Sequence, residues 1–348
     1  MKKFWLLFTG GTFLSTDSKK WREVSRSSAD KNQEKTRDIL NLILSGDKFI
    51  AKEIYNIDSS DLAPKHRLAI KNTIEQMEKE EWNMDGYILI HGTDTLEYTA
   101  SALSFLLKDI KWNLIITGAM ESIEAPTSDA PDNLKYSLQA LDQLCSSGGH
   151  YVAFGEKLLQ WNKVRKVDTH SKMTFNTPWY NSIGKFENDS LILDSMQNKN
   201  YLDSIDHIIP SSSKEMNALP NVQLIKFFPW MNFQIFDYLS SIPDLKGIVL
   251  EWYWDGNFPK DTALATAIQN LIKKWVFIVI KSQCITWYVD HKYEWAKKIL
   301  DIDHDHIISW KNMTSPATLT KLMRVLSQTE DPQQVKSYME KNIAGEML

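Results

Sequence analysis

Three short turns rich in glycine and threonine carry the side chains that could do chemistry in this sequence. They are Thr9-Gly10-Gly11-Thr12, His91-Gly92-Thr93-Asp94-Thr95 and Thr117-Gly118-Ala119, and each follows an apolar run typical of a buried strand. Ligands in open α/β sheets bind beyond the carboxyl ends of the strands. Helix N-termini there offer N–H donors and a positive dipole end, which suit a carboxylate or an oxyanion. We therefore expect the three turns to line one crevice.

A threonine hydroxyl is a weak nucleophile unless a neighbouring base or charge activates it. Thr93 is followed by Asp94, and Lys163 or Lys166 could be delivered from the segment after the strand predicted at residues 151–154. Threonine is also a common helix cap and turn residue. The residues alone therefore leave a threonine-based site and a purely structural turn as open alternatives.

Other chemistry has weaker support. Residues 303–306 read Asp-His-Asp-His, but no third metal ligand is indicated, so a solvated loop is favoured. The motifs of serine-hydrolase elbows, P-loops and dinucleotide-binding turns do not occur. We expect no cofactor and no metal.

Strand and helix patterns alternate along the chain, which predicts mainly parallel sheets covered by helices. In the first half the strands are predicted at residues 3–8, 87–90, 114–116 and 151–154, and the helices at 30–44, 64–80, 95–107 and 133–144. After a polar stretch the strands are predicted at 223–227, 247–250 and 276–280, and the helices at 233–239, 261–273, 316–326 and 332–342.

We therefore predict an α/β protein with two domains, each a mainly parallel sheet flanked by helices. The domains are predicted at residues 1–190 and 219–348, with a linker at 191–218. The active site is expected at the carboxyl ends of the first domain's strands.

Composition limits the compartment and the partners. The chain has 348 residues, a net charge of −4 and a pI of about 6.1, which gives no basic field for nucleic acid or an anionic membrane. No apolar stretch reaches the roughly 18–20 residues of a membrane helix. Cys145 and Cys284 are far apart, which favours free thiols in a reducing compartment. We expect a cytoplasmic protein that acts on a small molecule and binds neither nucleic acid nor membrane.

The turns resemble the two signatures of the bacterial-type L-asparaginase family. Residues 9–12 match its T-G-G-T motif, and residues 85–95 match D-G-x-x-x-x-H-G-T-D-T. The resemblance covers nearly the whole chain. Residues 58–60, 98–103 and 317–322 resemble the cytoplasmic type I enzymes.

The resemblance implies an enzyme that hydrolyses the side-chain amide of L-asparagine to L-aspartate and ammonia. Thr12 would be the nucleophile that forms an acyl-enzyme, and Thr93, Asp94 and Lys166 would form a second group, with Lys166 as proton acceptor. The substrate would be bound by Asp58, Ser59, Ser60, Thr93 and Asp94. Asn257 would reach into a partner's site, because the family builds its sites in homodimers or homotetramers.

Some positions depart from the family pattern. The family has a tyrosine on the loop after its first motif, where Arg22 stands here, and no tyrosine lies between Thr12 and Tyr55. The arginine and serine of the type I allosteric asparagine site align with Glu251 and Trp252, whereas Cys284 of that site is kept. The resemblance therefore implies absent or altered allosteric regulation.

Tryptophan is abundant and glycine is scarce. The chain has 13 of each, whereas a usual glycine frequency of about 7% would give roughly 24 glycines. Several tryptophans stand where the family has glycine: Trp230, Trp254, Trp287, Trp161, Trp275, Trp310 and Trp21. We hypothesise that UGA codons read as glycine in the source organism were translated here as tryptophan. The alternative is that these are genuine surface or interface tryptophans.

Two other functions stay open. An amidohydrolase of the same fold could act on glutamine or on asparagine within a peptide. A non-catalytic relative could bind an amino acid or a protein, which the missing loop tyrosine favours and the intact Thr12, Thr93, Asp94 and Lys166 oppose.

Overall fold

The structure is a computed structural model in which the chain divides into two compact units, Met1–Asp203 and Ser204–Leu348. The residues described are 3–14, 48–80, 84–107, 110, 112–144, 149–178, 180–188, 190–205, 218–254, 257, 259, 261–284, 299, 301–309 and 312–347. The helix predicted over residues 30–44, Arg22 and Cys145 lie outside them.

Ten strands are described in the first unit. They are β1 (Lys3–Phe8), β2 (Lys48–Glu53), β3 (Gly86–Ile90), β4 (Asn113–Thr117), β5 (His150–Phe154), β6 (Lys157–Gln160), β7 (Arg165–Lys166), β8 (Phe175–Asn176), β9 (Gly184–Glu187) and β10 (Ser190–Leu193). Eight form a sheet of order β10-β9-β6-β5-β4-β3-β1-β2, and β7 pairs with β8 separately. Strands β2, β1, β3, β4 and β5 run parallel, and β6, β9 and β10 join antiparallel.

The parallel part has the order 2-1-3-4-5, which reverses direction between β1 and β3. Ligands in such sheets bind in the crevice at this switch point, outside the carboxyl ends of the strands. The turns at residues 9–12 and 91–95 follow these two strands directly. The described topology therefore puts the two most distinctive predicted turns at the switch point.

The helices of the first unit are α1 (Pro64–Glu80), α2 (Leu96–Leu106), α3 (Ala130–Leu144) and α4 (Ser195–Asp203). Pro64 begins α1, where its missing N–H costs nothing. Helix α3 packs on β4 and β5, and α2 is buried along nearly all its length. Strands β3, β4 and β5 are buried throughout, so they read as continuous apolar runs.

The first unit extends beyond the predicted boundary at residue 190. Strand β10 pairs with β9, and α4 is tied to β5 by a hydrogen bond of 2.7 Å from the Tyr151 hydroxyl to Asn198 Oδ1. In β10, Leu191 is buried and Ile192 is exposed, and Tyr201 is the buried residue of α4. Because residues 191–203 show little apolar periodicity, the sequence predicts a linker there. The part of that predicted linker at residues 206–217 lies outside the described residues.

The second unit contains a parallel sheet of four described strands in the order β11-β12-β13-β14. They are β11 (Asn221–Lys226), β12 (Leu245–Trp252), β13 (Phe277–Ser282) and β14 (Ile307–Ser309). The helices are α5 (Gln234–Ser241), α6 (Thr262–Ile272), α7 (Ser315–Leu326) and α8 (Pro332–Glu340). The predicted α/β class is confirmed in both units. Within the described part of the chain, no helix is long and apolar enough to cross a membrane.

Candidate active site

The turns after β1 and β3 touch through their backbones. Gly10 and Gly11 have φ of +98° and +92°, which L side chains rarely adopt. A Cβ on Gly11 would lie 2.5 Å from the Cα of Gly92, and one on Gly92 would lie 2.7 Å from the Cβ of Ser59. The glycines therefore let three segments meet, those that carry Thr12, Thr93 and Ser59.

The third predicted turn lies against the second. A Cβ on Gly118 would lie 2.3 Å from the carbonyl oxygen of His91. The backbone N–H of Ile123, in the loop after β4, donates to the carbonyl of Phe13 over 3.0 Å. Thr12 begins a 3-10 helix, Thr12–Leu14. The loop after β4 thus braces the residue directly after Thr12.

Lys166 reaches the second turn from β7. Its Nζ lies 3.0 Å from Thr93 Oγ1 and 2.7 Å from Asp94 Oδ1. The Lys166 side chain is 18% exposed and that of Asp94 is 64% exposed, so the pair opens to solvent on one side. Lys163, the other candidate, instead holds its Nζ 3.6 Å from the ring centroid of Tyr180. Of the two lysines, it is Lys166 whose amine contacts the threonine and the aspartate.

Residues 58–60 form a capped turn beside this group. Asp58 caps the 3-10 helix Ser59–Asp61, and its Oδ1 accepts 2.8 Å bonds from both the backbone N–H and the hydroxyl of Ser60. The hydroxyl of Thr95 donates to the Ser59 carbonyl over 2.6 Å. Ser59 is buried and Ser60 is exposed. The predicted substrate-binding residues of the first unit therefore lie next to the Thr93–Asp94 turn.

Burial shifts the pKa of two groups at the site. The pKa of His91 is lowered to about 4 by burial, so its ring is neutral near pH 7. We assign its proton to Nδ1, because that atom lies 2.7 Å from the carbonyl oxygen of Gly92, which can only accept. Burial raises the pKa of Glu97, and the neighbouring Arg165 guanidinium opposes that rise.

Two further groups hold the site, and the sequence patterns assign no role to them. The buried carboxylate of Asp129 accepts 3.0 Å bonds from the backbone N–H groups of Met120 and Glu121. Asn133 Nδ2 donates to the Gly118 carbonyl over 3.0 Å. Asn133 lies on the buried face of α3 and Asp129 directly precedes that helix. A polar residue at a buried position needs a hydrogen-bond partner, and this is the signal that could have found them.

Asn257 lies in the second unit, where its backbone N–H and carbonyl pair with those of Tyr253 over 3.0 Å.

Asp303 Oδ1 accepts hydrogen bonds from the backbone N–H groups of Asp305 and His306, which closes a turn in the sequence Asp-His-Asp-His. Among the residues that the structure describes, no group of three or more His, Cys, Asp or Glu is arranged to hold a metal ion.

The positions aligned with the type I allosteric site are occupied within the second unit. Glu251 accepts from Lys281 Nζ over 3.4 Å and from the Ser315 hydroxyl, and all three side chains are buried. Trp252 is completely buried in the core of the same unit. A carboxylate and an indole therefore stand where the resemblance implies an arginine and a serine.

The fold and this group of side chains define a class. At the switch point of the parallel sheet, an amine lies within hydrogen-bond distance of a hydroxyl and a carboxylate. This arrangement is typical of hydrolases that act by acyl transfer.

Comparison with known proteins identifies the family. The profile described as "Asparaginase, N-terminal" matches residues 3–199, and "Glutaminase/Asparaginase C-terminal domain" matches residues 221–339. An L-asparaginase of Thermococcus kodakarensis is 30% identical over 99% of each chain, and its solved structure superposes with a TM-score of 0.81 over 99% of each chain. The chain belongs to the asparaginase family and is an amidohydrolase.

The chain is also similar to two other proteins. A component of the glutamyl-tRNA(Gln) amidotransferase of Methanobrevibacter smithii is 33% identical over 85% of this chain and 66% of its own length. A probable cytoplasmic L-asparaginase of Campylobacter jejuni shares the fold, with a TM-score of 0.79 at 22% identity over 98% of this chain and all of its own.

Proposed function

We propose that this protein hydrolyses the side-chain amide of L-asparagine to L-aspartate and ammonia. The observation that carries the proposal is the contact of Lys166 Nζ with both Thr93 Oγ1 and Asp94 Oδ1. This group lies on the turn whose Gly92 packs on Gly11, next to Thr12. The similarity to a full-length protein named L-asparaginase supports the same substrate.

In the proposed reaction, Thr12 Oγ attacks the side-chain amide carbon and forms a tetrahedral oxyanion. The carbon–nitrogen bond then breaks, and the nitrogen leaves as ammonia with the proton that the hydroxyl has lost. Water attacks the resulting threonine ester, which frees aspartate and restores the hydroxyl. Peptide N–H groups of the glycine turns would stabilise the oxyanion in both steps.

The group around Lys166 manages the protons. As a cation, Lys166 donates to Thr93 and to Asp94, and after losing one proton its lone pair can accept the hydroxyl proton of Thr93. The hydroxyl of Thr93 in turn accepts a proton from the water that attacks the threonine ester, so this group acts mainly in the second step. The Asp94 carboxylate stabilises the ammonium that forms.

The polar ends of asparagine fit the same edge of the sheet. The Asp94 carboxylate suits the substrate's α-ammonium, and the Ser59 hydroxyl, with Asp58 and Ser60 beside it, suits the region of the α-carboxylate. In this proposal Asn257 completes the site of another copy in a homodimer or homotetramer. The name of the Campylobacter jejuni relative supports a cytoplasmic location.

A second candidate function is the hydrolysis of glutamine, which the similarity to an amidotransferase component favours. Glutamine is longer than asparagine by one methylene. A site that holds the α-groups rigidly would therefore move the reacting carbonyl of the longer substrate away from Thr12.

The test is ammonia release from asparagine, glutamine and a peptide-borne asparagine. It is run on this chain and on a variant with glycine at Trp230, Trp254 and Trp275, three of the tryptophans that stand where the family has glycine. We expect the highest kcat/KM with free asparagine. A higher kcat/KM with glutamine or with the peptide would instead support an amidohydrolase of the same fold with that substrate. Binding of asparagine with no ammonia from any substrate would support a non-catalytic binder and contradict the proposal.

A further inference from the structure

Glu97 joins the catalytic turn to the strand that carries Lys166. It lies in the first turn of α2, which begins directly after the turn of residues 91–95. Its buried Oε2 accepts the backbone N–H of Lys166 over 2.7 Å and the Nε of Arg165 over 3.2 Å. The Glu97 side chain is 8% exposed, so both bonds are shielded from solvent.

Lys166 is consequently held at both ends by one short stretch, residues 93–97. Thr93 and Asp94 contact its amine, and Glu97 contacts its peptide N–H. Strand β7 has two residues and pairs with β8 rather than with the main sheet, so the sheet itself does not fix its position. Arg165 offsets the negative charge of Glu97 close to Lys166.

We propose that Glu97 is a positioning residue that sets the location of Lys166 against Thr93. This role rests on the proposed function, because it matters for catalysis only if Lys166 moves protons. Glu97 is the second residue of α2, and its carboxylate binds the backbone of β7. The same strand carries Lys166, whose amine contacts the turn of residues 91–95 directly before α2.

The test compares Glu97→Ala with Glu97→Gln, whose side-chain carbonyl can still accept the Lys166 N–H. With asparagine, we expect Glu97→Ala to lower kcat about 10-fold to 100-fold with little change in KM, since small misplacements of a catalytic group have effects of this size. Glu97→Gln should recover most of the loss. Glu251→Ala, which removes a buried carboxylate of the second unit, should leave kcat per folded molecule unchanged.

A second readout does not depend on activity. Acetic anhydride labels accessible amines, and peptide mass spectrometry gives the labelling rate of Lys166. We expect that rate to change several-fold in Glu97→Ala and to stay near the original in Glu97→Gln. An unchanged labelling rate, or a kcat loss that only follows the folded fraction, would overturn the positioning role. Absent ammonia release with changed labelling would instead contradict the proposed function alone.

A separate observation concerns backbone conformation. Among the residues that the structure describes, five other than glycine have φ in the left-handed region. Asn188 and Asp244 are types that tolerate it, and the others are Trp230 at +56°, Trp254 at +39° and Trp275 at +61°. Left-handed backbone costs a residue with a Cβ roughly 1–2 kcal/mol.

Trp275 occupies the glycine position of a helix-ending motif. The N–H of Val276 donates to the Leu271 carbonyl over 3.2 Å, and the N–H of Trp275 donates to the Ile272 carbonyl over 2.8 Å. These two bonds are the paired pattern of a Schellman motif, with Trp275 as its left-handed residue after α6. Leu271 and Val276 both lie in the core, as the motif's usual apolar contact requires.

Trp230 occupies the corresponding position of a β-turn. Pro229 precedes it, and the N–H of Met231 donates to the Phe228 carbonyl over 3.2 Å. Proline followed by a positive φ is the pattern of a type II turn, whose third position is normally glycine. Trp254 follows Tyr253, whose N–H and carbonyl pair with Asn257 across the loop.

The three indoles gain little from burial, although the Trp275 ring lies edge-on to the His306 ring with 5.4 Å between the centroids. Trp230, Trp254 and Trp275 are 91%, 67% and 56% exposed. By contrast, Trp161 and Trp252 are buried in cores and have no positive φ. Backbone conformation therefore gives no reason to expect glycine at Trp161, one of the positions suspected from the sequence. Trp21, Trp287 and Trp310 lie outside the described residues.

We infer that residues 230, 254 and 275 are glycine in the protein as its own cell makes it, with UGA codons read as glycine. The first test is the gene: UGA is expected at all three positions, and UGG at any of them overturns the inference for that position. The second test is Trp→Gly substitution followed by urea unfolding. Each should raise the ratio of folded to unfolded protein by about 5-fold to 30-fold.

Glycine normally destabilises a folded chain, so the expected sign is unusual. Trp161→Gly and Trp252→Gly are the matched controls, and both should lower that ratio because they empty buried volume. A fall in the ratio for the three exposed positions as well would contradict the inference.

Discussion

Lys166 is the side chain on which the chemistry of this site depends. Its amine lies within 3.0 Å of both a hydroxyl and a carboxylate, and it is the lysine of the two candidates that has this contact. We predict that Lys166→Met lowers kcat for asparagine about 100-fold to 10,000-fold, the usual contribution of a positioned proton acceptor. Steady-state ammonia release measures this.

Lys163→Met is the matched control for that variant. Lys163 lies over the Tyr180 ring, so its loss removes packing and a cation–π contact rather than a proton acceptor. We expect kcat to change little. Similar losses in both variants would mean that the lysines act only on stability.

Two buried histidines make stability depend on pH. Burial lowers the pKa of His91 to about 4 and that of His150 to about 3, from an ordinary value of 6.5. The N–H of Leu114 donates to His150 Nδ1 over 3.3 Å. Protonation of that nitrogen would place two N–H donors against each other and remove the hydrogen bond. Their stabilisation is complete above about pH 6.5 and is lost as the pH falls towards the folded values.

We predict that the free energy of unfolding falls by up to about 1.4 kcal/mol per histidine for each pH unit below 6.5. Urea unfolding at pH 7.5, 6 and 5 measures the slope (roughly the range over which these groups protonate when unfolded). His150→Gln should flatten it, whereas replacing the exposed His304 should not. An unchanged slope in His150→Gln would contradict this assignment.

At the scale of elements, the sequence predicts what is buried and misses what is short or exposed. Strands β1, β3, β4 and β5 are largely apolar runs, and the described helices α1, α2 and α3 have clear periodicity, so the predicted bounds of these elements lie close to the observed ones. Strand β2 lies at the sheet edge with most of its residues exposed, and its sequence Lys-Phe-Ile-Ala-Lys-Glu neither alternates nor forms a long apolar run. Strand β7 has only two residues. Neither length nor pattern could reveal them.

For the site as well, some features can be predicted from sequence patterns and others cannot. The switch-point turns could be predicted because each glycine-rich segment directly follows a buried strand. The choice of Lys166 over Lys163 comes from resemblance, since spacing treats the two alike. No pattern points to Glu97, because its hydrogen bond joins residues 69 positions apart.

A buried ion pair ties the end of the chain to α7. Lys321 Nζ lies 2.6 Å from Glu346 Oε1, and both side chains are fully buried. We predict that Lys321→Met lowers the free energy of unfolding by about 3–5 kcal/mol, because it leaves a carboxylate buried without its cation. Urea unfolding measures the loss.

Lys321→Met combined with Glu346→Gln should cost less than Lys321→Met alone, since the amide oxygen can still accept the N–H of Ala344. The more exposed pair Lys246–Glu330 is the control, and Lys246→Met should cost less than about 1 kcal/mol. A double variant as unstable as the single one would contradict the account of the pair.

At the scale of the whole molecule, regulation should differ from that implied for type I relatives. The negative charge of Glu251 is engaged by Lys281 and Ser315, and Trp252 fills core volume beside it. At these two positions a second asparagine would meet a carboxylate that is already paired and an indole that fills the space. We predict a hyperbolic dependence of rate on asparagine concentration, and a sigmoidal curve would contradict the prediction.

The most direct test of the whole account is to trap the acyl-enzyme. A Thr93→Ala variant should form the threonine ester and hydrolyse it slowly, so acid quenching after mixing with asparagine preserves it. Peptide mass spectrometry then locates the adduct. We predict an aspartyl group on the peptide that contains Thr12, together with one ammonia released per adduct. An adduct elsewhere, or ammonia release with no adduct at any time point, would contradict a mechanism through Thr12.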